Sequence, residues 1–505
     1  MERLPAHSFP ATAFAAPVRA TDSPSGGPPP WLDQGPPTTE RHPRSAPVTP
    51  GGDGFRPDIE GLRGIAVLVV VLFHAWPGSL AGGFIGVDVF FVISGYLITG
   101  LLVRERRRTG GISLPAFYAR RMRRLLPAAC VALLATLIVA MAVVPPIDRP
   151  GVAEDAKAAV LSIANIRFAM AQGDYFATVS TPSPLLHYWS LALEEQFYLV
   201  WPALILFLTM GGRTGRSLTI AVGILTVASL VAGVVTSDLA PAWAFYSLPT
   251  RAWQLGVGAL LVLGLDRSIA RGRRSAGLLG WAGLAGIIVT AFVLDGTVAY
   301  PGWAAIGPTC AAAAVIAAGV RGAGPGRLLA IPPLRFLGRI SYSLYLWHWP
   351  ILVLVPLAIG VEIDLPLGIG LIALSVLAAI LSWRFIETPF RGRPVAAAQR
   401  PRRTVSLALA SILAIAVLAT GISTPSGPVD TVAAAANARA TAEASQDDDA
   451  WVAVTPPPAV DVLPDPDPSA PVDGEQPAPS GGPSATPAAG GDGGSPLPSV
   501  TPSIP

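Results

Sequence analysis

Lysine is all but missing from this chain: Lys157 is the only one, and the other 34 of its 35 basic residues are arginine, a bias that fits GC-rich bacterial coding. Charge of either sign is scarce, at 13% of residues, which excludes a set of ordinary soluble domains. Cysteine is limited to Cys130 and Cys310, both inside apolar stretches, so neither a disulfide framework nor a metal site is expected. Histidine is limited to five positions, 7, 42, 74, 187 and 348. No apolar h-region follows the basic start, so no signal peptide is read there.

What the chain has is apolar length. Hydrophobic residues make up 51% of it, mean hydropathy is +0.54, and runs of roughly 17 to 25 apolar residues recur, each long enough to cross a bilayer as a helix. Eleven spans are expected, beginning near residues 59, 84, 125, 187, 217, 245, 277, 302, 341, 367 and 405. Basic loop residues are retained in the cytoplasm. With the N-terminus inside, the five internal loops (104–124, 210–216, 266–276, 321–340 and 387–404) carry 23 arginines, whereas the external loops carry only Arg149, Lys157 and Arg167. The C-terminus then lies outside. Residues 1–54 and 424–505 are rich in Pro, Ser, Gly and Ala or Thr, cannot bury enough apolar area to offset ordering, and read as disordered. The second of these is acidic and has no histidine, so any chemistry belongs to the membrane part.

Ionisable side chains inside spans are costly, and each is therefore a candidate for function. Arg63 and His74 are eleven positions apart in the first span, which in a helix is three turns plus about 20°, or about 16 Å along one stripe. Such a stripe suits a donor whose phosphates dock on a guanidinium at the inner surface while its reactive end reaches an imidazole base. The plainer alternative is an anchor and a polar group bonded to a neighbouring helix. In the second span Asp88 and Ser94 interrupt an apolar run, Asp88 reading as a helix cap at the interface. The segment FYARRMRRLLP reads as a basic amphipathic helix able to hold a polyphosphate or lipid headgroups.

In HYWSLALEEQFYLVWP, His187, Ser190 and Glu194 share one helix face, and Glu195 is turned away by a further 100°. Glu194 is expected in a buried role, orienting an imidazole, holding an acceptor hydroxyl, or paired with Arg251 at the start of the sixth span. His348, set among Tyr342, Tyr345, Trp347 and Trp349 and two residues before Pro350, looks like the wall of a polar cavity and is read as structural.

Taken together, Arg63 with His74, GVDVFFVISGY (Gly86 to Tyr96), FYARRMRRLLP, HYWSLALEEQFYLVWP and LGRISYSLYLWHWP resemble, in order, the acyltransferase-3 family of bacterial integral-membrane O-acyltransferases. The resemblance runs from about Arg56 to Arg391. It implies an acyl-coenzyme A donor, usually acetyl, bound from the cytoplasm as a substrate rather than a resident cofactor. It implies a carbohydrate or lipid-linked glycan acceptor, or a glycosylated metabolite. It also implies a catalytic His74, with Glu194 in the site and Arg63, Arg120, Arg121, Arg123 and Arg124 binding the donor. Asp88, Ser94, His187, Arg251 and His348 remain further site candidates. Many relatives with an eleventh span also carry an outer hydrolase-like domain. Residues 424–505 do not resemble it, so a separate extracytoplasmic protein is a further expected partner.

The expectation is thus an all-α integral membrane protein of the bacterial plasma membrane, with about ten helices in an acyltransferase core (55–394), a basic linker and eleventh transmembrane helix (395–423), and disordered ends. Membrane lipids are expected partners and nucleic acid is not. A transporter or flippase of lipid-linked sugars is the alternative, since intramembrane charges suit it equally; no inverted repeat supports it.

Overall fold

The computed structural model describes residues 55–171, 182–210, 215–265, 272–295, 298–391 and 401–423. The segments expected to be disordered, 1–54 and 424–505, lie outside the described residues, as does most of the linker. All regular structure among the described residues is helical: α1 (Pro57–Ala75), α2 (Gly86–Thr109), α3 (Leu114–Val143), α4 (Arg149–Val160), α5 (Ala164–Ala171), α6 (Tyr188–Thr209), α7 (Arg216–Leu239), α8 (Pro241–Tyr246), α9 (Leu248–Leu260), α10 (Arg273–Val293), α11 (Ile306–Val320), α12 (Gly326–Leu329), α13 (Pro332–Ile359), α14 (Leu365–Ser382), α15 (Thr388–Arg391) and α16 (Pro401–Ser423).

Among the described residues eight helices are long and apolar enough to cross a membrane. The other three expected spans coincide with α1, with α9 extended by a π-helical turn (Leu261–Leu265), and with the shorter apolar α11. The causes differ: α1 is long enough but carries Asp58, Glu60 and Arg63 in its first two turns, whereas α9 and α11 are only 13 and 15 residues long.

One expected boundary is corrected. The arginine-rich stretch 104–124 is not a loop but the end of α2 and the start of α3, joined only by residues 110–113. Gly110 adopts φ 77°, the left-handed conformation that closes α2 by returning its N–H to Arg106 O, and Pro115 then starts α3 in its first turn.

Two close crossings position the site. In the α1/α13 crossing Gly64 abuts the Leu334 carbonyl and Gly338 the Glu60 carbonyl, and beside it Gly61 abuts the Leu329 carbonyl at the end of α12, so a Cβ at any of them would overlap backbone. In the α2/α9 crossing Gly95 meets the Leu255 carbonyl and Gly258 the Val92 carbonyl. Small residues at such seams let helices approach without a hydrophobic driving force between them. Helix α16 lies against α3 and α4, apart from the α1/α13 seam.

Candidate active site

The close α1/α13 crossing turns the Arg63–His74 stripe toward α13 at both ends. Arg63 donates to Ser341 Oγ at 2.7 Å. Eleven residues on, Nδ1 of His74 lies 3.0 Å from Nε2 of His348. His348 is fully buried, and its Nδ1 sits 2.8 Å from the Tyr345 carbonyl and 3.2 Å from that of Leu344. A carbonyl can only accept, so Nδ1 of His348 carries hydrogen and Nε2 of the neutral ring is an acceptor. His74 must then donate through Nδ1, which leaves its Nε2 with the free lone pair. A doubly protonated His348 would bury a charge with no carboxylate bonded to it among the described residues. Trp349 packs on the His74 ring at 4.6 Å between centroids.

Helix α6 supplies a second stripe. Ser190 Oγ and Tyr345 hydroxyl are 2.6 Å apart, and the same tyrosine hydroxyl lies 3.3 Å from the His187 carbonyl, tying α6 to α13. One turn further, Glu194 accepts from Ser94 Oγ at 2.8 Å and from Tyr198 hydroxyl at 2.9 Å. Glu195, turned away as its register requires, accepts from Ser162 Oγ between α4 and α5.

These stripes border two spaces. The larger, about 210 Å3, is lined by the guanidinium-bearing Arg63, Arg104, Arg121 and Arg124 together with Ser94 and Glu194. Arg121 also stacks over the Tyr198 ring at 4.8 Å. The smaller, about 20 Å3, is lined by His74 and His187 within a wall of Val70, Phe84, Trp189 and Trp349. Val87 and Tyr345 line both. Arg63 and His74 therefore do not share one continuous groove, as the sequence suggests; they open into adjoining spaces with a common wall, because the Tyr345–Ser190 bond closes the interval between α13 and α6.

Four further assignments change. Arg120 pairs with Glu105 at 2.9 Å on an exposed face, and Arg120 and Arg123 do not line the cavity, since residues 121 and 124 share one helical face and 120 and 123 the next. Arg104, at the end of α2, is a cavity residue that the motif alone misses, although it shares α2's cavity face with Leu97 and Leu101. Glu194 has no bond to an imidazole and stands instead on the guanidinium side, one turn beyond the Tyr345 wall. Arg251 pairs not with Glu194 but with Asp88 at 3.2 Å.

Asp88 is no interfacial cap. It is fully buried and accepts from Arg251, Gln254 and Tyr300. The Arg251 guanidinium sits 5.4 to 5.7 Å from the centroids of Phe91, Trp189, Phe245 and Tyr300. Because Trp189 and Phe245 also line the small chamber, this buried ion pair braces the chamber wall from behind. The imidazole of His187 is 2% exposed and faces the Leu346 backbone, but neither ring nitrogen is in hydrogen-bonding geometry with a described group.

A helical membrane protein that buries a tautomer-locked histidine pair beside an arginine-lined cavity has the equipment of a group-transfer enzyme rather than of a passive anchor. The family description "Acyltransferase domain" matches residues 56–384, and the chain belongs to this acyltransferase-3 family. It is 35% identical over 348 residues to the peptidoglycan O-acetyltransferase OatA of Listeria monocytogenes, covering 67% of this chain and 56% of that protein. It is 34% identical over 396 residues to the O-acetyltransferase OatA of Staphylococcus aureus, covering 74% of this chain and 64% of that protein. The chain thus aligns with less than two thirds of the length of either relative. No solved structure matches.

Proposed function

We propose that this chain is a plasma-membrane O-acyltransferase that moves an acyl group, acetyl first of all, from acyl-coenzyme A on the cytoplasmic side to a hydroxyl of an envelope glycan or lipid-linked sugar. The observation that carries the reading is the hydrogen bond that His74 Nδ1 donates to His348 Nε2, which leaves His74 Nε2 as a base at one end of a stripe whose other end is Arg63. Arg63, Arg104, Arg121 and Arg124 suit the donor's phosphates, since guanidinium forks match phosphate oxygens. Glu194 offsets part of that positive charge when the cavity is empty. The names of the relatives favour a peptidoglycan acceptor, and a separate extracytoplasmic protein is a further proposed partner in delivery.

In the transfer step His74 Nε2 takes the proton of the acceptor hydroxyl while that oxygen attacks the thioester carbonyl carbon. The C–S bond breaks, and the departing thiolate receives the proton from His74. The products are an ester and coenzyme A thiol, with the imidazole neutral again. Replacing His74 with Ala and measuring labelled acetyl transfer in isolated membranes tests this; undiminished transfer rules it out. Retention of coenzyme A by the purified protein separates the enzyme from a flippase, which has no use for it.

A further inference from the structure

Resting on the acyl-coenzyme A reading, we infer that the small chamber beside His74 is the acyl-chain pocket and that its walls limit the transferred group to two carbons. Its volume of about 20 Å3 holds between one and two water-sized groups, one such group needing roughly 10 to 15 Å3 by the same measure. That is room for a methyl group and a carbonyl oxygen. A sugar ring is far too large, and its several hydroxyls would meet a wall of Val70, Phe84, Leu186, Trp189 and Trp349.

The few polar groups suit the same guest. His187 is nine-tenths buried and more and lines the chamber, and the Leu346 backbone is the polar group it faces, without either ring nitrogen reaching full hydrogen-bonding geometry with a described group. A neutral imidazole carries one N–H, and an uncommitted buried donor is costly until something accepts from it. The thioester carbonyl oxygen supplies that acceptor. It enters from the arginine-lined side, where Val87 and Tyr345 form the common wall, so the phosphates and the acyl end occupy different spaces.

The test uses the full-length protein in isolated membranes with their endogenous acceptor, supplied with radiolabelled acetyl-, propionyl- or butyryl-coenzyme A. The wild type is expected to prefer acetyl over butyryl by about 100-fold or more, since one methylene in a tight apolar pocket discriminates by roughly 10- to 200-fold. Val70→Ala and Leu186→Ala are each expected to raise the butyryl-to-acetyl ratio at least about tenfold. Leu186→Phe, which fills the chamber from the other direction, is expected to stop acetyl transfer while the purified variant still retains coenzyme A.

Equal use of butyryl and acetyl by the wild type overturns the inference. So does an unchanged ratio in the enlarged variants, or full acetyl transfer by Leu186→Phe. Absence of transfer from every acyl-coenzyme A by the wild type, with coenzyme A not retained, overturns the acyl-transfer reading beneath it.

Discussion

His348 holds His74 by a single 3.0 Å contact between ring nitrogens, and the two main-chain carbonyls behind His348 decide which nitrogen of His74 is basic. On the proposed reading His348 is a positioning residue: it selects the tautomer of His74, the group proposed to meet the acceptor hydroxyl.

His348→Phe keeps a ring of similar bulk and removes the acceptor. The expected outcome is a fall in kcat of about 100-fold, the scale of a misplaced reacting group, with KM for the donor nearly unchanged. Steady-state kinetics with acetyl-coenzyme A separates the two. An equal change in both constants would mean that His348 acts on binding.

The register of α3 distinguishes two neighbouring arginines. Arg121→Ala removes a cavity guanidinium and should raise the donor KM by roughly 10- to 100-fold, the range of a lost charge-assisted hydrogen bond. Arg120→Ala breaks only an exposed pair with Glu105 and should leave KM where it was. Equal effects of the two substitutions would show that the segment binds the donor through charge alone.

The Asp88–Arg251 pair predicts an asymmetry in stability. Removing one partner leaves the other charge buried, so Arg251→Met should cost about 3 to 5 kcal/mol. The double variant Asp88→Leu with Arg251→Met should recover part of the loss. Unfolding midpoints in detergent, followed by tryptophan fluorescence, measure it, and simple additivity of the two single effects would count against a coupled pair.

Gly338 and Gly370 offer a steric comparison. A Cβ on Gly338 would strike the Glu60 carbonyl, whereas one on Gly370 meets nothing within 4 Å. Gly338→Ala should separate α1 from α13 and reduce acyl transfer by at least tenfold, on the ground that a displacement near 1 Å costs about 100-fold. Gly370→Ala should change transfer less than twofold on the same scale.

How much of this is legible in the sequence follows from the range of each interaction. The Arg63–His74 stripe and the face shared by Ser190 and Glu194 follow from helical periodicity, whereas the split between Arg121 and Arg120 needs the cavity's position, since the sequence reads all four arginines of that segment alike. The partner of Arg251 does not: Asp88 lies 163 residues away, and a sequence holding several buried carboxylates gives no basis for choosing among them. The Tyr345 wall is hidden for a similar reason, since a tyrosine beside a histidine reads as cavity lining until Ser190 is placed opposite it. Within the basic stretch 104–124 the helix through FYARRMRRLLP is legible, whereas the continuation of α2 through Arg108 to the left-handed Gly110 is not, because clustered arginines after an apolar run look like the end of a span.

Thioesters are easily lost to hydrolysis, and an enzyme that carries one through a bilayer meets solvent on both sides. On the proposed reading, the Tyr345–Ser190 bond closes the wall between the two spaces among the described residues, so the arginine-lined side is parted from His74 until a donor displaces that bond. Donor would then be consumed only in step with acceptor arrival, and the same closure would keep the protein from leaking protons down the gradient across its own membrane.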